Sequence, residues 1–238
     1  MNPCTRLSAL SLAAGLAVSS LALAQAPTHS AMDPQNSPAA QAGEVGGRTV
    51  PPNMKDMAGS MQADQVINSQ LAKWASMPEE AHDMKVALMA GCSNMEEIEF
   101  SKAVLEKATD PKVKEIATLI VKEHQMAQDK LKPIGEKLGV QYPTQLPAMK
   151  QAQLMGLRNM PADKMQKAYL SMMKAGHLMT VNNLTDHLPM IKDADLKAWT
   201  SETLPKIRAH TAEVLKTAAD MGMPTDLKFE SSDNHNHM

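Results

Sequence analysis

One apolar seam constrains most of what this chain can become. Ala117, Ile120, His124, Ala127, Leu131, Ile134 and Leu138 follow one another in steps of three and four. That spacing puts them on a single face of an α-helix. A second run holds Leu196, Thr200, Thr203, Ile207, His210, Val214, Thr217 and Met221. A third holds Leu170, Met173, His177, Thr180 and Leu184, and a fourth Val86, Ala90, Glu97, Phe100 and Val104. No stretch alternates β-branched and polar residues as a half-buried strand does. The fold class is therefore all-α.

Helix punctuation sets the boundaries. A first helix is predicted from about Met54 to Ala75. Ser76-Met77-Pro78-Glu79 reads as a capping box opening the next helix. Gly91-Cys92-Ser93-Asn94 is expected to kink or interrupt that helix, which then continues to about Lys107. Asp110-Pro111 is a strong start for a helix that Gly139 stops, with a bend expected at Pro133. A short helix is predicted around Ala148–Leu157, and a long one from Ala162 to Leu188. Asp193 caps the last, which bends at Pro205 and ends before Gly222. The turns at Thr109-Asp110 and Lys192-Asp193 are short, so each pair of long helices is an antiparallel hairpin. Two such hairpins describe a four-helix bundle with an extra N-terminal helix.

The ends of the chain have a different character. Residues 1–24 read as a secretory signal peptide. Arg6 precedes an apolar run from Leu7 to Leu23, and Ala22-Leu23-Ala24 is a small-x-small cleavage pattern. Ser8, Ser11, Ser19 and Ser20 dilute that run below what a membrane anchor requires. Residues 25–52 form a Pro-, Gln-, Ala- and Gly-rich linker, 53–223 the helical domain, and 224–238 a flexible polar tail. The protein is thus expected to be exported, to the periplasm or to association with the outer membrane, with no transmembrane segment in the mature chain. The 24 basic and 26 acidic residues are evenly mixed, so no nucleic-acid footprint exists. Cys4 leaves with the signal peptide, and Cys92 remains without an intramolecular disulfide partner.

Four residues break the apolar seams: Glu97, His124, His177 and His210, one per long helix. Glu97 lies thirteen residues before Asp110 and His124 fourteen after it. His177 lies sixteen residues before Asp193 and His210 seventeen after it. At a rise of about 1.5 Å per residue, each pair is level to about one turn. One carboxylate and three imidazoles in one layer suit a transition metal ion: Cu, Zn, Fe, Mn or Ni. Tyr169 and Glu213 are candidates to support that layer from behind. The alternative is a buried hydrogen-bonded polar layer without metal. A di-iron carboxylate site does not fit. Glu123 is offset by about 100° from His124, and His210-Thr211-Ala212-Glu213 reverses the Glu-x-x-His order. Weaker soft-metal candidates are Met172, Met173 and Met179 around His177, and His235, His237 and Met238 in the tail. The 21 methionines also have a packing explanation, because aromatics make up only 3% of residues.

The span from about Lys85 to Met223 resembles a family of exported bacterial proteins, domain of unknown function 4142, often labelled outer-membrane proteins. The resemblance rests on Met95-Glu96-Glu97-Ile98-Glu99, Asp110-Pro111-Lys112-Val113-Lys114, Glu123-His124, Tyr169, Gly176-His177 and Leu204-Pro205-Lys206-Ile207-Arg208-Ala209-His210. Glu123 stands where the family usually has Asp, and Gln128 where it often has Asn. The resemblance implies a ferritin-like up-down bundle and no particular activity. The helix at 54–75 lies outside it.

Three functions compete. The leading one is metal binding or buffering through the Glu/His layer. The second is a non-catalytic envelope protein, structural or stress-related, acting by self-association or through a partner. An enzyme ranks third, because the chain has no nucleophile–base pair, phosphate loop or cofactor fingerprint.

Overall fold

A computed structural model describes residues 52–225. The expected signal peptide, the expected linker up to residue 51 and the tail beyond residue 225, with His235, His237 and Met238, lie outside the described residues. Within them the chain is all-helical, in the order α1 (Pro52–Trp74), α2 (His82–Lys107), α3 (Pro111–Lys137), α4 (Ala148–Asn159), α5 (Ala162–His187) and α6 (Ala194–Asp220). A single 3-10 turn, Leu188–Met190, follows α5. No helix among the described residues is long and apolar enough to cross a membrane.

Local chemistry explains the boundaries. Asp110 accepts from the backbone N–H groups of Lys112 and Val113 at 2.8 and 3.2 Å, with Pro111 at the first helical position. Asp193 does the same for Asp195 and Leu196 at 3.0 and 2.9 Å. These carboxylates satisfy donors that the first turn leaves without partners, and each cap is worth about 1 kcal/mol. Gly139 and Gly222 adopt φ of 81° and 69° and end α3 and α6 in the left-handed conformation that glycine adopts without steric cost.

Two expectations at the start of α2 fail. Residues 78–81 form a turn, α2 starts at His82, and no side chain caps it. The Ser76 hydroxyl donates backward to the Lys73 carbonyl instead. Nor does Gly91-Cys92-Ser93-Asn94 interrupt the helix: α2 is continuous. Gly91 serves packing. A Cβ there would run into the Tyr142 ring, and one at Gly135 on α3 would meet the same ring from the other side. The helices α3 and α6 continue through Pro133 and Pro205, as the predicted boundaries require.

The four long helices pack in a ring, α2 on α3, α3 on α6, α6 on α5 and α5 on α2. Each hairpin turn is fastened from the other hairpin. The Gln166 side-chain oxygen on α5 accepts from the Thr109 and Asp110 N–H groups at 2.8 and 2.7 Å. Asp83 on α2 accepts from Lys192 and Asp193 at 2.9 and 2.6 Å. Helix α1 packs on α4, and Gln70 exchanges two hydrogen bonds with the Gln141 backbone.

The core is split in two. One apolar cluster includes Phe100, Ile120, Tyr169, Met173 and Val214. The other includes Ala90, Leu131, Leu184, Trp199 and Ile207. On every long helix the break between them falls at the polar residue: Glu97 between Ala90 and Phe100, His124 between Ile120 and Leu131, His177 between Met173 and Leu184, His210 between Ile207 and Val214.

Candidate metal centre

The break in the core is a buried polar layer. Glu97, His124, His177 and His210 are 3%, 4%, 0% and 4% exposed. The three imidazole centroids lie 5.3 to 5.6 Å apart, an almost equilateral triangle. One nitrogen from each ring lies within 4.8 Å of the other two, close enough to hold a metal ion.

Each ring is divided between two tasks. His177 Nδ1 donates to the Met173 carbonyl at 3.0 Å. His124 Nδ1 bonds the Asn94 side-chain oxygen at 3.1 Å, and Asn94 in turn donates its NH2 to Gln128 at 3.1 Å. That second bond orients the amide so that its oxygen faces the imidazole. His210 Nε2 bonds the Glu123 carboxylate at 2.9 Å. The remaining nitrogens, His124 Nε2, His177 Nε2 and His210 Nδ1, are buried without a hydrogen-bond partner. An outer acceptor holding one N–H leaves a lone pair on the other nitrogen, as in metal-ligating histidines.

Glu97 stands on the Nδ1 side of two rings. Its Oε2 is 3.1 Å from His124 Nδ1, and its Oε1 is 3.6 Å from His177 Nδ1. Oε2 lies outside hydrogen-bond geometry despite the short distance, because His124 Nδ1 is aimed at Asn94.

Electrostatics keep the layer uncharged at neutral pH. Burial pushes the Glu97 carboxyl up to about 8, aided by the negative charge of Glu96. Burial holds His124 well below the usual histidine range, and the neighbouring His177 and His210 push the same way. His177 falls to about 4, again mainly by burial. His210 is also lowered by burial, partly offset by its bond to Glu123. Neutral imidazoles are the form that binds metal.

Other expected residues behave differently. Tyr169 is buried but bonds Ser101 at 2.8 Å rather than a histidine. Glu213 is exposed, and Glu123 occupies the place beside His210. The methionines around His177 do not converge: Met173 is buried in the core, Met172 packs on its edge and Met179 is 56% exposed. Met173 meets His177 through its carbonyl, not its sulfur. Sequence reasoning missed Asn94, and it singled out Glu123 and Gln128 only as departures from the family pattern that would matter if they supported the site. The offset of Glu123 from His124 was read as pointing away from the layer, yet it aims the carboxylate at α6. Gln128 is one turn beyond His124, and Asn94 one turn before Glu97, so helical spacing held both signals.

The family comparison matches residues 68–217 to a domain of unknown function, DUF4142. The chain belongs to this family. All four layer residues fall inside the DUF4142 span, as do Asn94 and Glu123. The span also takes in the last two turns of α1, although the sequence reading put that helix outside the resemblance. No curated protein and no solved structure matches the chain.

Proposed function

We propose that this DUF4142 protein binds or buffers one transition metal ion at the His124, His177 and His210 layer, in an exported, ferritin-like up-down four-helix bundle. The observation that carries the reading is the set of three imidazoles with nitrogens within 4.8 Å of one another, each ring having one bonded nitrogen and one buried without a partner. A buried polar atom left unbonded costs about 1–3 kcal/mol. Three such nitrogens and a Glu97 oxygen would cost several kcal/mol in a purely structural layer. A structural Zn ion returns about 10–16 kcal/mol. The second reading, a polar layer without metal, leaves those atoms to whatever water enters from the α3–α6 side.

Glu97 supplies the charge. Neutral while buried alone, it ionises beside a bound cation and balances it from the Nδ1 side of two rings. Three imidazole donors with a carboxylate behind them suit Zn, Fe, Mn, Ni or Cu. Titrating the metal-depleted protein with Zn, Co or Mn while following thermal melting tests the reading. At about 100 times Kd, Tm should rise by roughly 5–10 °C. An unchanged Tm with every ion would contradict it.

A further inference from the structure

The polar layer is buried, yet one cleft reaches it. A space of about 140 Å³ opens between α3 and α6, with His124, His210 and Asn94 at its floor. Lys122, Lys130, Glu202 and Lys206 line it, together with Glu123 and the small Ala127. At about 30 Å³ per water in the liquid, it accommodates a partly hydrated ion.

The carboxylates in the cleft are not equivalent. Glu202 is held by Lys130 at 2.6 Å and by Lys206 at 3.4 Å. Glu123 makes its bond to the His210 imidazole, and no lysine pairs with it among the described residues. Its side chain is 33% exposed while that of His210 is 4% exposed. Glu123 therefore spans from the cleft to a ring of the triad, the one carboxylate there that no lysine has neutralised.

Resting on the metal reading above, we infer that the α3–α6 cleft is the exchange port of the centre and that Glu123 is its transfer ligand. A hydrated divalent cation meets the Glu123 carboxylate at the mouth, exchanges water for carboxylate oxygen and passes to the inner imidazole nitrogens. Release follows the reverse path. The surrounding lysines repel a dication, so exchange is slow and the bound ion is retained.

A port changes the rates of loading and release equally, whereas a ligand changes affinity. Stopped-flow loading of the metal-depleted full chain with Co(II), and removal of Co(II) by a chelator, separate the two. In Glu123→Gln the amide oxygen still accepts from His210 Nε2, while the charge is gone. Loading should slow about ten-fold, whereas loss of the support behind His210 alone would weaken Kd through faster release and leave loading unchanged. Ala127→Phe, which fills the cleft without touching a carboxylate, should slow loading and release alike with Kd unchanged. Lys122→Glu should speed loading. Unchanged rates in Glu123→Gln and Ala127→Phe, with Co(II) still bound stoichiometrically, would overturn the port and leave the metal centre standing. A change in Kd alone would make Glu123 only a support for His210 and overturn the transfer role. Failure of the unmodified chain to bind Co(II) at all would overturn the metal reading and the port with it.

Discussion

The outer partner of each imidazole decides whether the ring can serve as a ligand. Asn94→Ala removes the acceptor that fixes His124, and metal affinity should fall about 10–100-fold. Equilibrium competition with a chromogenic chelator measures it, and wild-type affinity in the variant would remove Asn94 from the site. The ionisable groups give a pH signature in the metal-free protein. Glu97 is raised from 4.5 to about 8, so its proton is held more tightly in the folded chain. Its contribution to stability is complete below pH 4.5 and is lost as pH rises toward 8. The buried histidines, lowered from 6.5, act oppositely, and stability is lost as acid protonates the unfolded chain below that value. Metal-free protein should therefore be more stable near pH 7, above the range where the histidines titrate in the unfolded chain, than at pH 8 in urea unfolding. In Glu97→Gln that preference should shrink. Metal affinity itself should strengthen up to about pH 8, where Glu97 no longer has a proton to surrender.

At the level of elements, Tyr142 links α2 and α3 through two glycines. Gly91→Ala gains about 1 kcal/mol of helix propensity but collides with the ring, and overpacking of this kind costs about 1–3 kcal/mol. The variant should melt below wild type, and the same Gly91→Ala change should no longer be destabilising when made in Tyr142→Ala. Here the sequence misled, because a mid-helix glycine reads as a local interruption. Its reason is a ring 51 residues away, at Tyr142, which no local pattern encodes. Helix starts were legible where the chemistry is local: Asp110-Pro111 and Asp193 cap their own helices. The capping box at Ser76 was not formed, because the hydroxyl bonds the preceding turn. For α1, Gln70→Ala leaves the Gln141 N–H and carbonyl without their partners and should cost about 1–3 kcal/mol in thermal or urea unfolding.

At the scale of the whole molecule, the polar layer sits where the two apolar clusters meet, with each long helix contributing one residue. That much was readable, because level heights follow from counting residues out from two tight turns. Which ring nitrogen is bonded and which is left without a partner was not readable. It depends on contacts across helices, such as Glu123 on α3 to His210 on α6. The role of Glu97 was also hidden, since spacing placed it in the layer but not on the Nδ1 side of two rings. The most direct measurement is the metal content of the untagged protein by inductively coupled plasma mass spectrometry, beside His124→Ala and His177→Ala. The expected result is about one ion per chain, lost in both variants. Metal-free wild type that takes up no Zn, Mn, Fe, Ni or Cu under oxidising or reducing conditions would contradict the account, leaving the three imidazoles a structural layer.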